Sequence, residues 1–262
     1  MRWWEKIAEE LGIKEKLPSG YQKIGDIIIL NLPKKLYNKK KQIGEAILEH
    51  IPKIKTVCLI KGIRGEYRKP DIEVIAGNGT ETIHKENGCE YLLDVKKVMF
   101  SKGNVGERGR MKKDCRGIVL DMFAGIGYFS IPASKSPYVK KVYSIEKNPE
   151  SYRFLIKNIK RNNAKIEAFL GDCRDVVKKI NIKADTIIMG LLPDPYEFLD
   201  SALSCSKNGT KIIYHTINEN IGEKIRKKAE EWGFSIKIKK RGVKKYAPHK
   251  NHVVLELSLF SP

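Results

Sequence analysis

Three acidic residues each follow a short apolar run that is typical of a buried strand. Asp121 and Glu146 come directly after such runs, and Asp172 lies two residues beyond a third. The carboxyl ends of parallel strands meet at one edge of a sheet, which is where open α/β sheets bind their ligands. The separation of Asp121 and Glu146 along the chain is typical of sites in which the second acid accepts hydrogen bonds from ribose hydroxyl groups. The pattern therefore predicts a nucleoside site.

A glycine turn after Asp121 refines this prediction. Gly125 and Gly127 let the backbone turn sharply and approach a ligand without a Cβ atom in the way. Ser130 stands where a dinucleotide-binding fold has its third glycine, and the chain has no phosphate-binding loop of the type G-x-x-x-x-G-K-[ST]. We therefore expect a cofactor without a pyrophosphate. The alternative is a strand-to-helix turn that binds no ligand.

The elements that must position these residues alternate between strands and helices from residue 116 onwards. Such alternation is typical of an α/β fold with a doubly wound, mostly parallel sheet. We predict a Rossmann-like domain with a seven-stranded sheet over residues 116–262. Its strands are predicted at 118–120, 142–145, 166–170, 186–189 and 211–214, followed by an antiparallel pair at 234–238 and 252–259.

The residues before this domain have a different pattern. We predict an N-terminal helix and linker over residues 1–20, a small α+β domain over 21–97 and a connecting loop over 98–115. Within the small domain, Asn78-Gly79 lies between two strand-like runs and predicts a β-hairpin, and Asn87-Gly88 marks a second turn. The glycines of the connecting loop indicate a backbone that can wrap around a ligand.

The chain carries a large excess of basic residues. Its 51 Lys and Arg residues against 31 Asp and Glu residues give a formal net charge of +20. A field of this sign attracts polyanions and speeds their association, so we expect a nucleic acid partner. The alternative is a lysine-rich surface adapted to heat or salt, although thermal adaptation usually enriches glutamate as well.

Other classes of function have little support in the sequence. The five cysteines are scattered without a C-x-x-C pair and the five histidines show no ligand spacing, so neither a disulfide framework nor a metal site is predicted. No apolar run approaches the roughly 18 residues that a membrane-spanning helix needs. The first residues lead into an amphipathic helix and not into a secretory signal. We expect a cytoplasmic monomer that contacts no membrane.

The combined motifs resemble a known family. The segment Asp-Met-Phe-Ala-Gly-Ile-Gly at 121–127, with the terminal antiparallel pair, resembles class I S-adenosylmethionine-dependent transferases. Residues 65–70, 99–101 with 107–108, and 245–248 resemble the archaeal and eukaryotic family that contains the tRNA guanosine-37 N1-methyltransferases and the wyosine-pathway aminocarboxypropyltransferases. The resemblance covers residues 21–262. It implies S-adenosylmethionine as the group donor, no metal, and the anticodon loop of tRNA(Phe) as the partner.

The end of the fourth strand distinguishes the two activities of this family. The methyltransferases have Met-Asn-Leu-Pro there, whereas this chain has Met189-Gly190-Leu191-Leu192 and lacks the polar amide. The glycine is similar to the aminocarboxypropyltransferases. That implies transfer of the 3-amino-3-carboxypropyl group to C7 of 4-demethylwyosine at position 37, with release of methylthioadenosine. The alternatives are N1-methylation of guanosine 37 and a non-catalytic tRNA-binding protein, and Leu191, Pro193 and Tyr196 depart from the family pattern.

The resemblance also implies contacts with S-adenosylmethionine. Ser101 and Arg108 would bind the carboxylate of the methionine arm, and Glu146 would bind the ribose hydroxyl groups. Asp172 and the backbone at Cys173 would read the adenine edge. The other contacts implied are Asp121, Phe123, Gly125, Gly127 and Gly190.

Transfer to C7 requires that this carbon lose a proton. By resemblance, Glu107 is the proton acceptor and Arg68 stabilises negative charge on the base oxygen. The alternatives are a surface ion pair between Glu107 and Arg110, and a plain phosphate contact for Arg68.

Four further residues are candidates for contact with the RNA. Tyr196 and His252 would stack on the flipped base or hydrogen bond to it, although an aromatic residue near a strand end also serves in packing. Lys244 and Lys245 would contact the tRNA backbone together with the basic residues at 239–241.

Overall fold

The computed structural model describes residues 3–14, 17, 20–247 and 250–261. The chain divides into two compact units. The first comprises Met1–Lys85 and Glu90–Lys102, and the second comprises Glu86–Cys89 and Gly103–Pro262. Pro18 and Ser19 of the predicted linker, and Pro248 of the motif at 245–248, lie outside the described residues.

The first unit is built on a four-stranded sheet. The sheet has the order β1-β2-β3-β4, in which only the pair β2 and β3 is parallel. Apolar side chains of the helices and the sheet form one core, which includes Ile7, Ile28, Ile43 and Val57. The elements are α1 (Trp3–Glu10), β1 (Gln22–Ile24), β2 (Ile27–Leu30), a 3-10 helix (Lys34–Lys39), α2 (Lys40–His50), β3 (Thr56–Arg64), β4 (Lys69–Gly77), β5 (Glu81–Glu86) and β6 (Cys89–Asp94).

The β-hairpin predicted at Asn78-Gly79 is wrong. Strand β4 pairs with β3, and β5 pairs with β6 in a separate two-stranded sheet. The hydroxyl group of Thr56 donates to the carbonyl oxygen of Gly79 at 2.8 Å, so the turn is tied to β3. The second turn is the true hairpin, because Asn87 (φ 50°) and Gly88 (φ 71°) both have the left-handed backbone that a tight hairpin turn requires.

The second unit is built on a seven-stranded sheet with the order β12-β13-β11-β10-β7-β8-β9. The five strands from β7 to β11 are parallel, and β13 runs antiparallel to both β11 and β12. The predicted Rossmann-like α/β fold with a terminal antiparallel pair is therefore confirmed. The elements are α3 (Val105–Asp114), β7 (Gly117–Asp121), α4 (Ser130–Ser134), β8 (Val139–Glu146), α5 (Pro149–Arg161), β9 (Ile166–Leu170), α6 (Cys173–Ile180), β10 (Thr186–Met189), α7 (Leu199–Ser204), β11 (Lys211–Thr216), α8 (Gly222–Glu231), β12 (Ser235–Ala247) and β13 (Lys250–Phe260).

The prediction of a loop over residues 98–115 is wrong for its second half, which forms α3. Neither Gly106 nor Gly109 has a left-handed backbone, and both lie within the helix. Glycine has low helix propensity, so the helix depends on tertiary packing. Met111 on α3 is fully buried in the core of the second unit and supplies part of that packing.

No helix within the described ranges is long and apolar enough to span a membrane. Over the same residues, no three His, Cys, Asp or Glu side chains are grouped so that they could hold a metal ion. The five cysteines are buried free thiols.

Candidate active site

Glu146 and the glycine turn lie together at the carboxyl edge of the large sheet. The Glu146 carboxylate ends β8 and accepts hydrogen bonds from the backbone N–H of Gly125 and of Asn148, each at 2.7 Å. Burial raises the pKa of Glu146. Each carboxylate oxygen has a second lone pair, which suits the two hydroxyl groups of a ribose.

The glycine turn leaves no space for side chains on its inner surface. Gly125 has φ +57° and Gly127 has φ +100°. A Cβ atom on Gly125 would lie 2.4 Å from a ring carbon of Tyr128, and one on Gly127 would lie 2.6 Å from the side chain of Ile131. Both glycines are therefore required by backbone conformation and by packing.

Asp121 stabilises this turn through hydrogen bonds. Its carboxylate is fully buried and accepts hydrogen bonds from the hydroxyl group of Ser130 at 2.6 Å and from the backbone N–H of Phe123 at 3.3 Å. Burial raises the pKa of Asp121 to about 6. Ser130, which occupies the place of a third glycine, is thus the partner that holds the acid in position.

Asp172 begins α6 at the third strand end. Its carboxylate accepts hydrogen bonds from the backbone N–H of Arg174 at 3.0 Å and from the guanidinium group of Arg174 at 2.9 and 2.7 Å. These bonds lower the pKa of Asp172 to about 2. Cys173 is buried in the core. Arg174 lies over the ring of Phe198 at 4.9 Å, and Phe198 packs edge-to-face against Phe123 at 5.0 Å.

Arg108 on α3 is a buried cation with a protein partner that the sequence did not reveal. Its guanidinium group binds both carboxylate oxygens of Glu86, with Nη2 at 2.9 Å from Oε2. Burial raises the pKa of Tyr128. The positive charge of Arg108 opposes this shift, and the negative charge of Glu146 adds to it. Tyr128 is half-buried and follows Gly127 of the glycine turn.

Glu107, the predicted proton acceptor, is buried in an ion pair. Its Oε1 accepts a hydrogen bond from the guanidinium group of Arg241 and lies 3.5 Å from Nε of Arg110. Its Oε2 has no hydrogen-bond partner among the described residues. Glu107 therefore does not pair with Arg110 alone, because its hydrogen-bonded partner is Arg241 on β12.

The predicted residues Arg68 and Ser101 lie in the first unit. Arg68 is in the turn between β3 and β4 and has φ +52°. Its Nε atom is buried and has no hydrogen-bond partner within the described ranges. Ser101 is half-buried and directly precedes a 3-10 turn at Lys102–Asn104.

His252 is not exposed to solvent. It lies on β13 with Nε2 at 2.9 Å from Nδ1 of His215 on β11. Burial lowers the pKa of His252 to about 4 and that of His215 to about 3. Lys244 and Lys245 lie opposite His252 and Asn251 in the β12–β13 register.

Tyr196 lies in the segment that follows β10. Its backbone N–H donates to Asp194 at 3.1 Å, and its ring lies 5.0 Å from Nζ of Lys224. Asp194 also accepts hydrogen bonds from the hydroxyl groups of Tyr214 and Thr216 on β11. The segment is thus fixed to the end of the neighbouring strand.

Two family models match the chain along most of its length. A model of the TRM5/TYW2 methyltransferase domain matches residues 82–242, and a model of the TYW2 N-terminal domain matches residues 5–80. The chain belongs to the TRM5/TYW2 family.

Individual members of the TRM5/TYW2 family are similar over nearly the whole chain. A tRNA(Phe) (4-demethylwyosine(37)-C(7)) aminocarboxypropyltransferase of Pyrococcus horikoshii is 40% identical, with 98% of this chain and 94% of that protein covered. The crystal structure of P. horikoshii TYW2 in complex with MeSAdo has a TM-score of 0.83 at 35% identity and covers 98% of this chain and 99% of that one. The complex of aTrm5 with tRNALeu has a TM-score of 0.82 at 34% identity and covers 98% of this chain and 78% of that one.

Gly190 follows β10, at the position that the sequence analysis used to distinguish the two activities. A Cβ atom on Gly190 would lie 2.7 Å from Cε2 of Phe129, so the aromatic ring occupies the space of any side chain. Phe129 in turn packs against His215 with ring centroids 5.0 Å apart. The end of β10 is therefore closed by an apolar ring and carries no amide.

The structure brings the predicted residues of the second unit into two groups. One contains the glycine turn, Glu146 and Asp121, and the other is the buried pair of Glu107 with Arg241. Sequence reasoning missed the partners Glu86, Tyr128, Arg174 and His215, and read Arg241 only as a tRNA contact. Their acidic, basic or aromatic character was visible, but nothing along the chain indicated what they contact.

Proposed function

We propose that this chain transfers the 3-amino-3-carboxypropyl group of S-adenosylmethionine to C7 of 4-demethylwyosine at position 37 of tRNA(Phe), with release of methylthioadenosine. The observation that carries this proposal is Gly190 packed against Phe129, where the methyltransferases have an asparagine. The similarity to an aminocarboxypropyltransferase over 98% of the chain supports the same reaction.

The residues at the strand ends fit the proposed donor. Glu146 would accept the ribose hydroxyl groups, Asp172 and the backbone at Cys173 would contact the adenine, and Phe123 with the glycine turn would form the surface beneath them. S-adenosylmethionine supplies a sulfonium that makes three adjacent carbons electrophilic. The carbon held at reacting distance from the nucleophile is the one transferred, so the orientation of the methionine arm selects the product.

Arg108 is the residue that we propose for this orientation. A guanidinium group forms charge-assisted hydrogen bonds with a carboxylate, and its planar shape fixes the angle of approach. Glu86 binds Arg108 through two hydrogen bonds, which holds the guanidinium plane in one orientation. The roles of Ser101 and Arg68 remain predictions that depend on the family resemblance.

Glu107 is proposed as the acceptor of the C7 proton. Arg241 holds Oε1, while Oε2 lacks a hydrogen-bond partner in the described part of the chain. An oxygen without a hydrogen-bond partner keeps the lone pairs with which a carboxylate accepts a proton. Transfer then forms a bond from C7 to the methylene carbon, breaks the bond from that carbon to sulfur, and moves the C7 proton to Glu107.

The tRNA partner follows from the same family, in which aTrm5 forms a complex with tRNALeu. We propose that the anticodon loop of tRNA(Phe) is the part recognised, that Tyr196 lies toward the base, and that Lys244 and Lys245 contact the backbone. The contact with the base that the sequence analysis expected of His252 is not proposed, because this side chain is fully buried against His215. We further propose that the protein acts as a monomer in the cytoplasm.

The experiment uses two substrates in parallel, tRNA(Phe) that carries 4-demethylwyosine and unmodified tRNA(Phe), with S-adenosylmethionine labelled either on the methyl group or on the carboxyl carbon. Aminocarboxypropyl transfer moves only the carboxyl label into tRNA and yields methylthioadenosine. N1-methylation of unmodified tRNA would move only the methyl label and yield S-adenosylhomocysteine. If tRNA gains neither label although it binds, the non-catalytic alternative is correct.

A further inference from the structure

The hairpin of β3 and β4 extends beyond the sheet of the first unit. Strand β2 pairs with β3 as far as the register Leu30–Leu59, whereas β3 and β4 pair with each other out to Arg64–Lys69. Among the described strands, β4 has no neighbour other than β3. Residues 60–72 therefore form a two-stranded extension, which we call the arm.

The end of the arm is exposed and partly apolar. Residues 61–67 are all exposed, and they include the large side chains Ile63 (45% exposed) and Tyr67 (50% exposed). A two-stranded ribbon alone is marginally stable in water, and exposed apolar side chains at its end add nothing to that stability. Exposed apolar groups that cluster on a projecting element indicate an interaction surface.

The arm is also basic. It carries Lys61, Arg64, Arg68 and Lys69 against the two acidic residues Glu66 and Asp71. Arg68 has a left-handed backbone (φ +52°), which costs a non-glycine residue roughly 1 kcal/mol and is concentrated at functional positions. Lys61 and Arg64 also contact Glu73 and Asp71, at 2.8 and 2.5 Å. Arg64 and Arg68 flank Tyr67 along the chain, and cations near an exposed aromatic residue suit a polyanion that also presents flat surfaces.

We propose that Tyr67 stacks on an unpaired base of the anticodon loop of the tRNA substrate, while Arg64 and Lys69 of the arm contact the adjoining phosphates. Proteins bind single-stranded RNA by this combination, because every unpaired base has a face that an aromatic ring can cover. A base-paired stem presents no such face. The proposal depends on the proposed function only for the identity of the RNA.

The test measures binding of the fluorescently labelled tRNA(Phe) anticodon stem-loop by anisotropy, without S-adenosylmethionine. Tyr67→Ala and Tyr67→Leu should weaken binding about 5- to 150-fold, which corresponds to the 1–3 kcal/mol of one stacked base. Tyr67→Phe keeps the ring and should bind within about twofold of the natural chain. The matched control is Tyr138→Ala, since Tyr138 is 69% exposed and lies in the second unit.

A second set of RNAs identifies the stacked base. Single abasic substitutions are placed at each unpaired loop position, and Tyr67→Ala should cause no further loss on the RNA that lacks the stacked base. The proposal is overturned if Tyr67→Ala binds like Tyr138→Ala, or if its loss is equal on every abasic RNA. Because binding is measured without chemistry, absence of methylthioadenosine formation by the natural chain would overturn the proposed function alone.

Discussion

At the scale of single residues, the site depends on two acids, Glu146 and Asp121, whose oxygens already accept hydrogen bonds from the protein. Glu146 accepts two backbone N–H groups, and Asp121 accepts a hydroxyl and a backbone N–H group. These bonds fix the glycine turn before any ligand binds. Glu146 differs from Asp121 in being only partly covered, so it is the acid that can reach a ribose.

Glu146→Gln should weaken binding of S-adenosylmethionine about 10- to 150-fold. An amide nitrogen cannot accept a hydrogen bond from Asn148 or Gly125, and hydrogen bonds to a charged group contribute about 1.5–3 kcal/mol. Isothermal titration calorimetry measures the effect. The control is Glu150→Gln on α5, where Glu150 contacts Arg153 at 3.0 Å. Equal affinities for the two variants would show that Glu146 does not contact the donor.

Gly190→Ala should lower the free energy of unfolding by about 1–3 kcal/mol, because its Cβ atom would overlap the buried ring of Phe129. Adding Phe129→Leu should recover part of the lost stability, since the smaller leucine side chain leaves room for the Cβ atom of residue 190. Urea unfolding of the natural chain, the two single variants and the double variant measures the coupling. If Gly190→Ala lowers the free energy of unfolding equally in the natural chain and in the Phe129→Leu variant, overlap with Phe129 is not the cause.

At the scale of elements, β11 and β13 are joined by a buried pair of neutral histidines. His215 and His252 are 2.9 Å apart, and Arg241 and Lys244 of β12 also lower the pKa of His252 after burial itself. Both imidazoles therefore have a lower pKa in the folded chain than the value of about 6.5 in an unfolded one. The folded state binds fewer protons than the unfolded state between pH 6.5 and about pH 4.

We expect the free energy of unfolding to fall as the pH drops below 6.5, because protonation of the unfolded chain is favoured. The double variant His215→Asn, His252→Gln should lose about 4 kcal/mol less than the natural chain between pH 6.5 and 4.5. Urea unfolding at several pH values measures the difference, in which other titrating groups cancel. The control is His50→Gln on α2. If this variant changes the pH dependence of unfolding as much as the double variant does, the pH dependence does not come from the pair of His215 and His252.

At the scale of the whole molecule, a net charge of +20 acts on any RNA that approaches. Part of it lies on β12, an edge strand with exposed Lys237, Lys239 and Lys245. Lysines on an edge strand also prevent pairing with a second sheet. The two explanations differ in what they predict for the salt dependence of RNA binding.

Replacing Lys237, Lys239 and Lys245 together by Ala should reduce the slope of log affinity against log salt by about 2, since each contact with single-stranded RNA contributes about 0.7. Anisotropy titrations of tRNA(Phe) over a range of salt concentrations measure the slope. The control triple variant, Lys160, Lys178 and Lys179 to Ala, removes the same charge from α5 and α6. If both variants change the slope equally, only total charge matters and β12 is not a contact surface.

The sequence by itself determined the features that depend on neighbours along the chain. Buried strands, the glycine turn and the acids at the strand ends follow from local patterns of side chains, and the seven-stranded sheet follows from their alternation. The family resemblance rests on the same short motifs. These features hold because backbone conformation and strand burial are decided within a few residues.

The tertiary structure alone decided which charged and aromatic groups meet. Glu107 meets Arg241, Arg108 meets Glu86, and His215 meets His252 across separate elements. The failed hairpin at Asn78-Gly79 and the helix at Val105–Asp114 have the same origin, because packing overruled a local turn signal and low helix propensity. A buried charge without a partner is strongly destabilising, and the fold can supply that partner from any distance along the chain.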